Sequence, residues 1–426
     1  MNGNNYDKYE KINEENKEIK EEDVNDEDLD YILSDNEESL SDDKNISIYN
    51  SNHDSNHKDE FRSKILKLLG IVIVISLVII LLLFVLSVFF KKKYSYADIE
   101  NILKESAVSY YKDNKSKLPA NEDSPSIVES SSLISGEYMK EFGKYDSKFT
   151  SCKGSVTVKM EQGNYKYVPK LDCGKDYTTT SFIDKLKNDN GVVTSGFGLY
   201  DMNGSLVFRG SDVNNYISIG DDTWRIVKVY QDNSVELILS NLAYKSLWDD
   251  RYNSDLNSNT GFNEFSLSTI QNYLKKLYKS GVSEEGYNFS LTKDEKKSFV
   301  KFDACVGVRG EQETINDGSI ECSVLAGDQN MSLLPVNDFL NASIDKNCTS
   351  TTSGSCQNYN YLIIKDYYWW LANGSGLKSN FAYGVGEGVY SANVQANLFV
   401  RPVVHLSKDA LYVSGKGTEK NPYKVR

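Results

Sequence analysis

The stretch LLGIVIVISLVIILLLFVLSVFF, Leu68 to Phe90, contains no charged residue. A helix rises about 1.5 Å per residue, so a run of this length crosses a hydrocarbon core of roughly 30 Å with some tilt. It is longer than a signal-peptide core, lies deep in the chain and is followed by no small-residue cleavage site. The sequence therefore predicts a retained single-pass transmembrane helix over 61–93, with the lipid bilayer as its first partner.

Charge alone does not orient that helix. Lys58, Arg62, Lys64 and Lys67 flank one end, and Lys91, Lys92, Lys93 and Lys104 the other, so the positive-inside rule gives a tie. Cysteine placement breaks it. Cys152, Cys173, Cys305, Cys322, Cys348 and Cys356 all follow the apolar run, and none precedes it. An even set on one side fits disulfides in an oxidising exterior. The expected localisation is the cell membrane, with the N-terminus cytoplasmic and the C-terminal part extracellular.

Residues 1–60 hold 20 Asp and Glu against six Lys, and their few apolar residues follow no sustained period. Such a segment cannot bury enough surface to offset chain entropy, so it reads as a disordered acidic tail. It is either a solvated leader or a recruiter of a cytoplasmic partner. The rest of the chain has 61 − 20 = 41 acids and 48 − 6 = 42 bases. A near-neutral body offers no field for a phosphate backbone, and nucleic acid is not an expected partner.

Residues 94–182 read as a helical stalk with a small β unit. Ser95 and Asp98 have capping-box spacing, Ile99, Ile102, Leu103, Ala107 and Tyr110 follow helical spacing, and Pro119 marks a stop. The membrane helix is expected to run nearly straight into this one across Lys91–Lys93. In CKGSVTVKMEQGNYKYVPKLDC, two alternating runs flank a turn at Gln162–Gly163. In that hairpin register, paired residues sum to 325, which places Cys152 opposite Cys173. Pro169 assigns its strand to an edge or a bulge. Six cysteines allow 15 pairings. Nearest-neighbour closure favours Cys305–Cys322 and Cys348–Cys356 for the other two.

Residues 183–426 show short strands punctuated by Gly, Asn and Asp. MNG is a hairpin turn, LSTIQNYLKKLYKSG an amphipathic helix ending at Gly281, TKDEKKSFVKF a short helix, and RPVVHLS a terminal strand. The predicted class is α+β with a mixed or antiparallel sheet.

Two resemblances arise at these residues. A membrane helix leading into a helical spine and a small β unit is similar in layout to type IV pilins, although the Gly–Phe processing site and the early Glu of that family are absent. NNYISIGDDTWRIVKV, YYWWLANGSG and FAYGVGEGVYSANVQANLFVRPVVHLS resemble an extracellular domain of Firmicutes-type surface proteins. That domain is similar to the C-type-lectin-like fold shared with formylglycine-generating (sulfatase-modifying) domains. The matching segments are Trp224–Ile226, Trp369–Leu371 and Val400–Val403, with Ala372–Asn373 where the family pattern has Arg-Ser. The resemblance implies a C-type-lectin-like module. Formylglycine-generating enzymes carry a reactive, copper-binding cysteine pair; Cys348 and Cys356, in a Ser/Thr/Gly loop, read instead as a disulfide clamp.

Little in the sequence points to catalysis. His405 is the one histidine of the body and sits in an alternating strand with nothing to complete a triad. No zinc-type spacing, P-loop or dinucleotide motif occurs, and GVGEG reads as a hairpin turn. Asp221–Asp222, Asp249–Asp250 and Glu311–Glu313 are acidic pairs with glycosidase or calcium potential, but no calcium motif of the lectin type accompanies them. No cofactor and no metal are expected. The abundance of Tyr, Asn, Ser and Gly is the composition of a binding surface. If YYWWLANGSG is a strand, one aromatic pair plugs the core and the other meets a ligand. The expected ligand residues are Tyr368, Trp370, Asn373, Asn380 and Tyr383. The functional expectation is a membrane-anchored recognition module for a glycan, wall component or host protein. The alternatives are an enzyme of the same fold acting on an exported substrate, and a pilin-like subunit of a surface assembly.

Overall fold

The structure is a computed structural model that describes residues 56–89, 93–161, 163–284 and 287–426. It is mixed α+β. Most of the acidic segment, residues 1–55, lies outside the described residues. So do residues 90–92, where the membrane helix was expected to continue into the next one.

The chain divides into two compact units, Met1–Lys91 and Lys92–Arg426. The described part of the first is one helix, Asn56–Phe89. Its large apolar side chains from Leu66 to Leu82 are all at least half exposed. Among the described residues no helix is long and apolar enough to cross a membrane. The continuous run of described side chains in this helix stops at Leu82, and the expected span to Phe90 extends beyond it.

The second unit contains two apolar cores. The smaller runs from Ile99 to Cys173. Ser95 caps the helix Tyr96–Asp113 in the reciprocal capping box that its spacing with Asp98 predicts. Ile99, Leu103, Ala107 and Tyr111, four residues apart, form its buried stripe, while Ile102 and Tyr110 pack at the margin. This stripe lies on a three-stranded antiparallel sheet of Ser126–Glu129, Lys153–Glu161 and Asn164–Asp172. The helix is thus one layer of a compact α/β sandwich along its length. It ends at Asp113, before Pro119 is reached: Asn114 leaves helical geometry at φ −119° and ψ 52°, and its side-chain amide donates to the Tyr110 carbonyl.

The hairpin register is the one the cysteines require. Lys153 pairs with Asp172 and Glu161 with Asn164, and Cys152 and Cys173 are bridged just beyond the last pair. Pro169 sits in the edge strand, where a missing N–H is tolerated. The other two disulfides join Cys305 to Cys322 and Cys348 to Cys356.

The larger core runs from Phe182 to Tyr423. Its main sheet has nine strands. Seven follow the order Phe299–Val300, Val403–Leu406, Val235–Leu239, Asp222–Val229, Tyr216–Ile219, Tyr423–Val425, Tyr412–Ser414. The hairpin Gly198–Met202 and Ser205–Arg209 joins at Asp222–Val229, and its turn at Asn203–Gly204 has both residues at positive φ, as the Asn-Gly pair predicts. One junction is parallel, Tyr423 against Ile217, so the sheet is mixed. Val403–Leu406, expected as the terminal strand, is internal in the sheet, and two further strands, Tyr412–Ser414 and Tyr423–Val425, follow it in the chain.

A second sheet has five strands, in the order Val389–Asn393, Phe381–Val385, Trp369–Gly374, Leu398–Phe399, Lys245–Ser246. The helix Thr269–Ser280 buries Ile270, Leu274 and Leu277 and stops at Gly281, whose φ of +70° terminates it. The segment after Thr292 gives only one helical turn, Lys293–Lys296, before returning to strand at Phe299. The two cores are joined by ion pairs. Glu100, fully buried, meets the Arg426 guanidinium, and Asp409 receives Lys159 at 2.9 Å and Lys166 at 3.6 Å.

Candidate functional site

The strand that carries the adjacent tryptophans is buried on both faces. Every residue from Trp369 to Gly374 is buried, so alternation does not present one ring to solvent. Trp370, expected to meet a ligand, is a core residue whose indole N–H donates to the Ser246 carbonyl at 2.8 Å. Trp369 packs edge-on to Phe339 on its side of the strand. The cause is architectural: a central strand of a sheet covered on both sides has no wet face.

The other expected ligand residues separate in the same way. Asn373 is fully buried. Its amide oxygen accepts from the Val336 N–H, and its amide nitrogen donates to the Cys305 and Gly307 carbonyls. It ties a strand to a helix start and to the loop after Cys305. Asn380 is buried, with no hydrogen-bond partner for Oδ1 among the described residues. Tyr383 is almost wholly buried and donates its hydroxyl to the Arg309 carbonyl. Only Tyr368 is exposed, where its ring packs edge-to-face on Tyr390. The five do not form one surface.

The segments that carried the family resemblance converge in the interior. Trp224 sits in the main sheet opposite Leu239, and Arg401 donates to the Leu239 and Leu362 carbonyls while lying 5.0 Å from the Trp369 ring centroid. Arg401 thereby links the two sheets through hydrogen bonds and a cation–π contact. These residues hold the architecture together.

Most expected acidic candidates are structural too. Asp249 is fully buried and accepts from the N–H groups of Phe262 and Thr269 and from Arg251. Asp222 is pushed up to about 6, first by burial and then by the neighbouring Glu295 and Asp221 carboxylates. Glu313 accepts from Thr314 N–H and Ile315 N–H beside it. His405 stacks on Phe302 at 3.8 Å between centroids, and burial pulls it down to about 3. A neutral, stacked imidazole is core packing. No group of three or more metal-ligating side chains occurs among the described residues.

A chain of charged and polar groups links the segments around Arg309. Arg309 meets Glu321, whose Oε1 also accepts from the Asn337 N–H; Asn337 touches Asp338, and Asp338 receives Lys228. Nearby, Tyr230 donates to Glu236 at 2.7 Å, and burial followed by Asp338 pushes Glu236 up to about 8.

A cleft opens among the described residues. It has a volume of about 310 Å³ and lies between the loop closed by Cys348–Cys356 and the hairpin Phe381–Val385/Val389–Asn393. The loop contributes Thr351, Thr352, Ser353 and Gly354. The hairpin contributes Tyr383 and the run Gly388 to Ser391. Glu311 lines it as well, positioned by two contacts: its backbone carbonyl accepts from Thr351 Oγ1, and its carboxylate accepts from Ser391 Oγ at 2.8 Å. Burial, then the neighbouring Tyr368, pushes the Tyr390 phenol up to about 12, so it stays a neutral hydroxyl. Of the expected ligand residues, Tyr383 lines this cleft, and Tyr368 adjoins it through Tyr390. CTSTTSGSC and GVGEG were each legible as local structure, a clamp and a turn. Nothing in the sequence showed that they face each other.

Compared with known proteins, no family model, no curated protein and no solved structure matches the chain.

Proposed function

We propose that the chain is a single-pass, membrane-anchored surface protein whose folded unit is an extracellular binding module. The observation that carries this reading is the disulfide set. All six cysteines are paired, all lie after the apolar helix, and structural disulfides belong to oxidising compartments. The helix Asn56–Phe89 supports it. Its described side chains between Leu66 and Leu82 show apolar surface all round, which water does not favour and lipid does. The acidic N-terminal segment would then be cytoplasmic and free to meet a basic partner there.

The C-type-lectin-like assignment stays part of this proposal. It is supported by a mixed α+β unit in which the Trp224, Trp369 and Arg401 segments meet. Binding is favoured over turnover because the open cleft offers a single carboxylate, whereas acid–base hydrolysis of a glycoside uses two.

Membrane-impermeant thiol labelling of intact cells tests the reading. Labelling that appears only after an impermeant reductant places the oxidised domain outside. Free thiols that label only after lysis overturn the topology and the surface role together.

A further inference from the structure

We propose that the cleft between the Cys348–Cys356 loop and the Gly388–Ser391 segment binds a primary ammonium group carried on a small, hydroxylated ligand. The inference rests on reading the folded unit as a binding module and names the chemistry of its site.

The first observation is charge. Glu311 is the one charged residue lining the cleft. Its carboxylate makes no ion pair among the described residues, and its one hydrogen bond is with Ser391. That bond is itself oriented. Ser391 spends its hydroxyl proton on Glu311 Oε1, so in the 2.7 Å contact between the two serine hydroxyls Ser375 is the donor. The carboxylate is thus held by a relay that leaves its charge uncompensated. No Lys or Arg lines the cleft to receive a phosphate or a carboxylate, and an anionic ligand would meet like charge.

The second observation is the rest of the wall. An ammonium has three donors and no acceptor, so it needs a carboxylate, neutral oxygens and preferably an aromatic ring. Thr351, Thr352 and Ser391 supply hydroxyl oxygens, and Tyr383, paired with Ser391 and so on the same face of the hairpin, supplies a ring. A Cβ on Gly354 or Gly388 would meet no atom within 4 Å, so the space at these two positions is open to a ligand. The volume, about 310 Å³, is at the small end of ligand sites and suits one ring or a short chain.

The test uses the full chain in detergent micelles and saturation-transfer NMR, at a mildly acidic pH that keeps amines protonated. The probes are glucosamine, N-acetylglucosamine, glucuronate and cadaverine. Glucosamine and N-acetylglucosamine share a ring and differ in the charge at nitrogen. The expected result is binding of glucosamine and cadaverine, with glucosamine preferred over its acetylated form by about tenfold. Glucuronate gives no transfer. Glu311→Gln, which keeps the shape and the bond from Ser391, lowers glucosamine binding by about tenfold or more and leaves the unfolding temperature unchanged. Equal binding of glucosamine and N-acetylglucosamine, binding of glucuronate, no binding of either amine, or indifference to Glu311→Gln overturns the assignment. The outcome is separable from the topology: if thiol labelling places the domain outside the cell and no amine binds, this site falls while the surface reading stands.

Discussion

The guanidinium of Arg426, the last residue of the chain, forms an ion pair with Glu100, a fully buried carboxylate on the helix Tyr96–Asp113. Tyr177 and Thr179 donate to the same carboxylate. The end of the larger core therefore closes onto the smaller one. Removing Arg426 would leave a buried charge with only neutral donors. Breaking a buried pair by removing one partner costs about 3–5 kcal/mol, and the two remaining hydroxyls reduce that here to about 1–3 kcal/mol. Deleting Arg426 should lower the midpoint of denaturant unfolding accordingly, and Glu100→Gln should restore part of the loss. A deletion that leaves the midpoint unchanged would show that the pair contributes nothing.

Trp370 and Tyr368 are two residues apart and should behave oppositely. Trp370→Ala removes a fully buried ring and its N–H bond to Ser246, with an expected loss of about 3–5 kcal/mol. Tyr368→Ala removes an exposed ring with one edge-to-face contact, worth about 0.5–1.5 kcal/mol. Thermal unfolding of the two variants checks the contrast. Similar shifts for both would contradict the two-sided burial of the strand.

That pair also shows how far the sequence could be read. Local rules held where local chemistry decides: the Ser95–Asp98 box, the Asn203–Gly204 turn, the Gly281 stop and the hairpin register that bridges Cys152 to Cys173. They failed where sheet order decides. Nothing near Trp369 reveals that its strand lies between two neighbours and under cover, so period two was mistaken for a wet face. The cleft was hidden for the same reason. Glu311, Thr351 and Ser391 come from three separated segments, and only the tertiary fold brings them together.

Glu236 and His405 face each other across paired strands and set opposite pH trends. Glu236 is raised from 4.5 to about 8 by burial, then by Asp338, with Lys228 opposing. The folded form therefore holds this proton more tightly, and its contribution is complete at low pH and lost as pH rises through about 8. His405 is lowered from 6.5 to about 3 by burial, with Asp232 opposing and Lys228 assisting. Its contribution is complete above 6.5 and lost as pH falls towards about 3. Between 4.5 and 6.5 the two trends oppose each other, so stability should be broadest there and decline from 6.5 to 8. Glu236→Gln should flatten that alkaline decline. Denaturant midpoints measured across pH decide it; an unchanged slope in the variant would assign the decline to other groups.

The Cys348–Cys356 bridge closes a short loop, with a sequence separation of 8, yet that loop supplies one wall of the cleft. Chain-entropy arguments give such a closure about 2.5 kcal/mol of stability. Its local effect should be larger than this figure suggests. Thr351 fixes Glu311 through the backbone carbonyl, while Ser353 Oγ accepts from the Thr349 and Ser350 N–H groups inside the loop. Replacing both cysteines by serine leaves the Phe381–Val385/Val389–Asn393 hairpin intact but frees the opposite wall. The expected outcome is a modest fall in unfolding temperature together with a loss of glucosamine binding at least as large as that of Glu311→Gln. The Cys152–Cys173 double serine variant is the control, because the loop that bridge closes supplies no residue to the cleft. It should cost comparable stability and leave binding nearly unchanged. Equal loss of binding in both variants would show that the cleft depends on general stability, with no particular role for the loop that Cys348–Cys356 holds.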